Sequence, residues 1–496
     1  ALCSAAYAVE NIHFPEGDEA LSLARRRLAF EELFLFALGL AGLRSRRNAV
    51  TVPPMAAVDM APFYAALPFS LTGAQRRSID EALGDMRSGL PMNRLCQGDV
   101  GSGKTMVAAA CVYFAARNGR QAALMAPTEI LARQHYETLS PLLEPLGLRC
   151  ALLTGSTGVK ARRETNAALA AGDIDLAIGT HALLTGTVTF RDLGLVVTDE
   201  QHRFGVAQRA ALAEKGLHPH TLVMSATPIP RTLALILYGD LDVSLIDELP
   251  PGRQPIETFA VPGSYRPRIY AFLRKHIAEG RQAYIVCPMV ESGEEGGEDA
   301  KAVKDYASQL QKEVFPDLRV AFVHGKMKPK EKEAVMAAFA AGETDLLVST
   351  TVIEVGVDVP NAAVMVVENA ERFGLSQLHQ LRGRVGRGKH QSYCILISDN
   401  QNEETRQRLK ILTKTNDGFR LAEEDLRLRG PGDFFGVRQH GLPGLRVADL
   451  GCDAQLLQSA QKSAEALLAG DPELAHSPAL RDRVAELFAR NAETMN

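Results

Sequence analysis

The chain lacks paired cysteine motifs, long apolar runs and a strong excess of either charge. Its seven cysteines form no C-x-x-C pair, which favours reduced, buried thiols in a cytosolic protein over a metal site or a disulfide framework. The most apolar segment, residues 33–43, is shorter than the roughly 18 residues of a membrane span, and there is no secretory signal. We therefore expect a cytoplasmic protein without a membrane partner.

The net charge of −4 over 496 residues does not point to nucleic acid. It does not exclude nucleic acid either, because a local basic track is sufficient for binding. The length predicts about three domains, and a hydrophobic content of 46% is ordinary for a globular protein. Because the chain begins at Ala1 without an initiator methionine, we expect a fragment that lacks an N-terminal part.

The segment GDVGSGKT, residues 98–105, fits the phosphate-loop pattern. Its glycines would let successive backbone N–H groups converge on phosphate oxygens, and the following run reads as a helix whose positive N-terminus faces the same anion. Lys104 would bring charge to the outer phosphates, and Thr105 would ligand Mg²⁺. An ordinary glycine-rich turn is the alternative interpretation. The predicted nucleotide-binding residues here are Gly98, Gly101, Ser102, Gly103, Lys104 and Thr105.

Apolar strand-like runs alternate with polar loops and helices on both sides of a break at LPPGR, residues 249–253. Such alternation predicts parallel sheets covered by helices, with ligand-binding loops at the carboxyl ends of the strands. We predict an α/β fold with two tandem parallel-sheet lobes, at 48–254 and 255–400, and a helical C-terminal extension at 401–496. Only the first lobe has a phosphate loop. The predicted strands are 94–97, 122–126, 176–179, 195–198 and 221–224 in the first lobe, and 283–287, 319–323, 345–349, 364–367 and 393–397 in the second.

The segment DEQH, residues 199–202, follows one of these strands. Asp199 at the strand end could hold Mg²⁺, and Glu200 could orient and deprotonate the attacking water. An unrelated surface acidic pair would look the same in isolation. We expect His202 to contact the SAT segment at 225–227, where Ser225 and Thr227 could link the γ-phosphate to movement of the lobes. The alternative for that segment is a simple turn capped by Thr227.

Phe69 and Gln75 precede the phosphate loop at the start of a predicted helix. A glutamine amide can pair with both the donor and the acceptor edge of adenine, and a phenylalanine ring can stack on it. A glutamine at a helix start usually has no such role, so the prediction rests on its position in the chain.

In the second lobe, QLRGRVGRG at residues 380–388 concentrates three arginines. Guanidinium suits the spread charge of a transferring γ-phosphoryl group. Because this lobe lacks a phosphate loop, Arg384 and Arg387 would act across the cleft on nucleotide held by the first lobe, while Gln380 would couple the lobes. A basic patch that contacts a nucleic-acid backbone is the alternative.

Several further strand-end loops offer hydroxyls and backbone amides but few groups that read bases, which fits contact with a phosphate backbone. The predicted DNA-binding residues in these loops are Pro127, Thr128, Thr180, His181, His324, Lys326 and Thr350. Asp358, which follows Gly356, is assigned instead to the ribose of the nucleotide.

In chain order, FSLTGAQ, GDVGSGKT, APTE, GTHAL, DEQH, SATP, VSTTVIEVGVD and QLRGRVGR resemble the motif set of superfamily 2 helicases. DEQHRFGVAQR (199–209), SATPIPRTLAL (225–235), HGKMKPKEKE (324–333) and TNDGFRLAEEDLRLRGPGDFFGVRQHG (415–441) resemble the RecG family of bacterial DNA helicases more closely. The resemblance implies two RecA-like lobes, ATP and Mg²⁺ as cofactors, and a translocase that reverses stalled forks and migrates Holliday junctions in recombination and repair. It implies double-stranded and branched DNA and a single-strand-binding protein as partners of a nucleoid-associated monomer.

The resemblance also interprets the two ends of the chain. Residues 1–47 would be the trailing part of a wedge domain and its linker helix, and most of the wedge would be missing. Residues 401–496 would form a translocation motif, with a helical hairpin at 403–429, a turn at 430–433 and a DNA-contacting loop through Arg438 and Gln439. The basic side chains of the tail agree with such contact.

Three alternatives stay open from the sequence. A translocase that couples transcription to repair shares the tail motif. A nucleotide-gated nucleic-acid-binding module would be expected to have lost Glu200, Arg384 or Arg387, which are all present. An RNA helicase is the third alternative, although neither the tail nor DEQH favours it.

Overall fold

The computed structural model describes residues 2–48, 50–199, 211–212, 214–226, 241–250, 253–288, 297–350, 359–434, 445–449 and 453–492. Within these residues the chain forms two separate parallel sheets, each covered by helices, and a set of helices built from both ends of the chain. The predicted α/β class with two sheet lobes and a helical extension is confirmed.

The first sheet has seven parallel strands in the order β3-β4-β2-β5-β6-β1-β7. The five predicted strands are confirmed, and the short edge strands β3 and β7 were not predicted. The strands are β1 (Asn93–Gly98), β2 (Gln121–Met125), β3 (Cys150–Leu153), β4 (Leu176–Gly179), β5 (Leu193–Asp199), β6 (His220–Ser225) and β7 (Asp242–Ile246). The accompanying helices are α3 (Ala61–Ala66), α4 (Gly73–Arg87), α5 (Lys104–Arg117), α6 (Glu129–Leu143) and α7 (Val159–Ala171), with 3₁₀ turns at Glu144–Leu146 and His181–Leu184.

The second sheet has six parallel strands in the order β10-β11-β9-β12-β13-β8. Its edge strand β8 was not predicted, because several of its side chains are exposed and its apolar signal is weak. The strands are β8 (Glu257–Val261), β9 (Gln282–Val286), β10 (Val320–Val323), β11 (Leu346–Ser349), β12 (Ala362–Val367) and β13 (Tyr393–Ile397). The helices are α8 (Arg266–Ala278), α9 (Gly297–Gln309), α10 (Pro329–Ala340) and α11 (Leu375–Arg382), with short turns at Gly263–Tyr265, Leu310–Val314 and Ala370–Arg372.

The remaining helices come from the two ends of the chain: α1 (Ala5–His13), α2 (Asp18–Asn48), α12 (Glu403–Lys414), α13 (Gly418–Phe434), α14 (Ala454–Gly470) and α15 (Pro478–Ala492). The predicted turn at residues 430–433 is wrong, because α13 continues through it to Phe434. Glycine and proline disfavour a helix locally, but the preceding turns of α13 are anchored by buried Leu421 and Leu426.

Helix α2 packs against α14, and an apolar core lies between them. Leu33 and Phe36 of α2 share this core with Leu457 and Ala460 of α14. The Glu32 carboxylate accepts three backbone N–H groups, from residues 446, 447 and 448, at 2.7 to 2.9 Å. Helix α2 is therefore fixed to the C-terminal helices.

Six cysteines lie in the described ranges and all are free thiols. Burial raises the pKa of Cys96, Cys111 and Cys394 to about 12, so these thiols stay protonated and unreactive near neutral pH. No helix among the described residues is both long and apolar enough to cross a membrane.

Candidate active site

The phosphate loop and two of the predicted catalytic segments meet at one edge of the first sheet. Strand β6 lies between β1 and β5, with Gln97 paired to Ser225 and Asp199 paired to Met224. The loop after β1, the Asp199 carboxylate and Ser225 therefore lie at the carboxyl edge of three adjacent strands. This is where parallel sheets bind their ligands.

Glycine is required by the backbone of the phosphate loop. Gly101 has a φ of +75° and Gly103 a φ of +82°, conformations that other residues rarely adopt. Gly103 immediately precedes α5, and a Cβ there would lie 2.2 Å from the Gln75 amide nitrogen. Both the turn and the close approach of α4 therefore depend on these glycines.

The Lys104 ammonium is folded back into the loop. Its Nζ donates to the carbonyl oxygens of Gly98 and Asp99, each at 2.8 Å. A phosphate oxygen is a stronger, charged acceptor than a carbonyl. An incoming triphosphate can therefore draw the ammonium away from the two carbonyls.

Gln75 holds the start of α4 against the phosphate loop. Its Oε1 accepts the Thr72 N–H at 2.9 Å in a capping box, and its Nε2 donates to the Ser102 carbonyl at 2.8 Å. The side chain is 1% exposed, whereas Phe69 is 46% exposed. The predicted contact of Gln75 with adenine stays a prediction, and in this conformation its amide serves the loop.

His135 contacts the Asp199 carboxylate and was not predicted. Its Nε2 lies 2.8 Å from Oδ2 of Asp199, and its side chain is 9% exposed on α6. A ring held in this way fixes the direction in which the remaining carboxylate oxygen points. No motif marks His135, since only the fold brings α6 to the end of β5.

The residues at this edge fit a hard divalent cation. Thr105 and Asp199 offer oxygen donors, as Mg²⁺ requires, and Mg²⁺ is bound through few protein ligands together with phosphate oxygens and water. The described part of the chain has no cluster of three or more His, Cys, Asp or Glu residues that could hold a metal ion. Glu200, His202 and Thr227 lie outside the described residues.

The second lobe faces the phosphate loop across a cavity of about 820 Å³. Gly101 and Arg253 line it from the side of the first lobe and the linker, and Arg387 and Lys389 from the second lobe. Arg387 Nε donates to the Gly383 carbonyl at 3.2 Å. Of the two predicted finger residues, Arg387 lines the cavity that Gly101 of the phosphate loop also lines, and its role as a finger stays a prediction.

Arg384 is 4% exposed and is not among the residues that line this cavity. Arg253, in contrast, was not predicted and lies over the phosphate loop, where it donates to the Val100 carbonyl. Its signal in the sequence is only the linker motif PPGR. Gln380 is half-buried on α11.

A direct contact joins the lobes beside this cavity. His379 Nε2 lies 2.5 Å from Oδ1 of Asp99 in the phosphate loop, and a Cβ at Gly383 would lie 2.8 Å from Val100. Burial alone would raise the pKa of Asp99, but the contact with His379, the Val100 N–H and the Lys104 charge together lower it. Asp99 is therefore a carboxylate near neutral pH.

The predicted DNA-binding residues follow the carboxyl ends of strands in both sheets. His181 and Lys326 are exposed, and Pro127, Thr128 and His324 are half-buried. Thr180 and Thr350 are 2% exposed, so their hydroxyls are not open to a DNA backbone in this conformation. Asp358, Arg438 and Gln439 lie outside the described residues. Their assigned roles stay predictions.

Three family models match consecutive parts of the chain. They are DEAD/DEAH box helicase at residues 72–236, helicase conserved C-terminal domain at 268–389, and ATP-dependent DNA helicase RecG, domain 3, C-terminal, at 415–487. RecG of Bacillus subtilis is 48% identical over 497 residues, which cover 99% of this chain and 72% of that protein. The chain belongs to the RecG family. RecG of Synechocystis is 51% identical over 488 residues, covering 97% of this chain.

Solved structures agree with this family. A structure of RecG bound to a three-way DNA junction has a TM-score of 0.74 and 46% identity, covering 91% of this chain and 59% of that one. A structure of Mss116p bound to single-stranded RNA and AMP-PNP has a TM-score of 0.55 at 20% identity, which supports the fold alone. The chain spans 58% of the Synechocystis RecG. The transcription–repair translocase alternative is not favoured by these matches.

Proposed function

We propose that this chain is the ATP-driven motor of a RecG-family helicase, which moves on double-stranded and branched DNA. The observation that carries the proposal is the shared cavity: Gly101 of the phosphate loop and Arg387 of the second lobe line the same space. A triphosphate on the loop would therefore lie within reach of both lobes, as a motor requires.

The roles of individual residues follow from their positions. Lys104 would exchange its two carbonyl acceptors for the β- and γ-phosphates, and Glu200 would orient the attacking water. Arg387 would stabilise charge on the transferring phosphoryl group. Mg²⁺, held by Thr105 and Asp199, would neutralise charge on the phosphate oxygens. Ser225 and Thr227, at the neighbouring strand end, would sense the γ-phosphate.

The finer assignments follow the family. We propose fork reversal and Holliday-junction migration as the tasks of the whole protein, since a relative has been solved on a three-way DNA junction. A monomer, a single-strand-binding protein as partner and a cytoplasmic position at the nucleoid are part of the same proposal. The division of the chain into domains that end at residues 47, 254 and 400 is also part of this proposal.

The test is the ATPase rate of the purified chain with forked DNA, linear duplex, single-stranded DNA and RNA of matched length. We expect DNA that contains a duplex to stimulate the ATPase rate most strongly. Full-length B. subtilis RecG in the same assay would show how strongly a longer family member discriminates forked from linear DNA. Absence of ATPase activity with every nucleic acid, or strongest stimulation by RNA, would overturn the proposal.

A further inference from the structure

His379 is buried between the two lobes and contacts a charged side chain on each of its ring nitrogens. Nε2 meets the Asp99 carboxylate at 2.5 Å, and Nδ1 meets Nη2 of Arg382 at 2.8 Å. The residue is 3% exposed, so water does not compete for either contact.

These two partners fix the tautomer of the ring. A guanidinium can only donate hydrogen bonds, and a carboxylate can only accept them. Nδ1 must therefore accept from Arg382, and Nε2 must carry the proton that is donated to Asp99. His379 therefore acts as a donor on one ring nitrogen and as an acceptor on the other, which gives the link a direction.

Arg382 continues this link into the helical hairpin. It is 2% exposed, and its Nη1 donates to the carbonyl oxygens of Leu412 at 2.8 Å and Thr415 at 2.9 Å. Those carbonyls lie at the end of α12, where α12 turns into α13. Nη1 also donates to the Thr258 hydroxyl at 3.5 Å. A buried guanidinium is costly to leave unpaired, so the position of Arg382 depends on His379 Nδ1, the two carbonyls and this hydroxyl together.

Asp99 is held at the other end by Lys104. Lys104 Nζ donates to the backbone carbonyl of Asp99, while His379 donates to its side chain. Withdrawal of Lys104 toward a triphosphate would release the Asp99 carbonyl and allow that peptide to move. The carboxylate would carry this movement to His379.

We propose that His379 is a positioning residue of the ATPase reaction: through its two ring nitrogens, it ties the nucleotide-dependent position of Asp99 to Arg382 and thereby to the hairpin. The proposal rests on the proposed ATP-driven motor. His379 touches neither phosphate nor DNA in this role. It makes the ATPase rate respond to what the hairpin contacts.

Two substitutions separate the two ring contacts. In His379→Gln the amide nitrogen can reach the Nε2 position and donate to Asp99, but nothing remains to accept from Arg382. In His379→Asn the amide oxygen can stand at the Nδ1 position and accept from Arg382, but the donor to Asp99 is lost. His276→Asn, on α8 of the same lobe, is the matched control, because its ring packs on Phe272 and Tyr393 away from the cleft.

The measurement is the ratio of forked-DNA-stimulated to basal kcat, together with the KM for ATP and the melting temperature. A link needs both contacts, so we expect the stimulation ratio to fall roughly tenfold in each variant. This is a typical effect of losing one hydrogen bond to a charged group. The KM should change less than about threefold, and His276→Asn should keep the wild-type ratio.

Several outcomes would overturn the proposal. Full stimulation in His379→Gln would mean that His379 only holds the phosphate loop through Asp99. Full stimulation in His379→Asn would mean that it only stabilises the packing of α11 through Arg382. A double variant that adds Asp99→Asn should have a stimulation ratio no lower than that of the more impaired single variant. If the fold-losses of the two single variants multiplied in the double variant, the two residues would not act as one linked unit, and the proposal would be refuted. Absence of ATPase in the wild type would instead refute the proposed motor itself.

Discussion

Nε2 of His135 lies 2.8 Å from Oδ2 of Asp199, at the carboxyl edge of the first sheet. Because the ring holds Oδ2, it also sets the direction in which Oδ1 of Asp199 points. A residue that orients a metal-binding carboxylate affects metal affinity without touching the metal, commonly by 10- to 100-fold.

We therefore predict that His135→Ala raises the Mg²⁺ concentration for half-maximal ATPase activity by at least about tenfold. The reason is that Asp199 loses the partner that orients it. Titration of Mg²⁺ at saturating ATP is the measurement. Thr138→Ala, at an exposed position on the same helix, is the control, and an equal shift in that variant would remove the special role of His135.

Lys104→Ala should abolish ATP hydrolysis, because the loop would lose the only positive charge that its own sequence brings to the outer phosphates. Lys160→Ala is a matched control, since Lys160 is an exposed lysine on α7 with a side chain that is 88% exposed. Steady-state ATPase assays compare the two. Near-normal turnover in Lys104→Ala would contradict the phosphate-loop assignment.

Arg387→Ala should lower kcat by about 10³-fold or more while nucleotide affinity stays mostly intact, because an arginine finger acts on the transition state. Binding of a fluorescent ADP analogue and single-turnover hydrolysis separate the two quantities.

The expected effect of Arg384→Ala differs from that of Arg387→Ala, because the Arg384 side chain is buried, at 4% exposed, and does not line the cavity. We expect a lower melting temperature in this variant than in Arg387→Ala. If Arg387→Ala lost affinity and rate in equal proportion, a finger role for Arg387 would not survive.

The stability of the first lobe should depend on pH through His220. Burial, with a smaller effect of Arg120, lowers the pKa of His220 to about 4, against about 6.5 in an unfolded chain. Because the unfolded chain takes up a proton that the folded protein excludes, stability is complete above about pH 6.5 and falls as the pH drops toward 4. The loss is about 3 kcal/mol at most.

His220→Asn is the matched variant for this effect. Nδ1 of His220 accepts the Met92 N–H at 3.0 Å, and an asparagine oxygen can replace that acceptor without titrating. Urea unfolding between pH 4 and 7 should show a shallower dependence on pH in His220→Asn. Parallel curves for the two proteins would refute the assignment.

The phosphate loop was predictable because its chemistry is local: the glycines, Lys104 and the following helix are adjacent in the sequence. The parallel sheets were predictable because buried strands are continuous apolar runs. The edge strand β8 was missed for the opposite reason, since much of it is exposed. The end of α13 was wrongly predicted because propensity at residues 430–433 gave way to the packed helix before them.

The contacts around the cleft were not predictable in the same way. His379 and Asp99 are 280 residues apart in the sequence, and His135 and Asp199 are 64 apart. Neither histidine has a spacing that marks its partner, because the pairs form only when the sheets and lobes are assembled. Arg253 lies over the phosphate loop for the same reason, although its sequence context reads only as a linker.

The three backbone N–H groups held by Glu32 bind the beginning of the chain to its end. Leu426 of the hairpin packs in the same apolar core as Leu33 and Leu457. A chain that lacked residues 1–49 would thus expose an apolar face of the hairpin and of α14 to solvent. It should aggregate even though both ATPase lobes were complete.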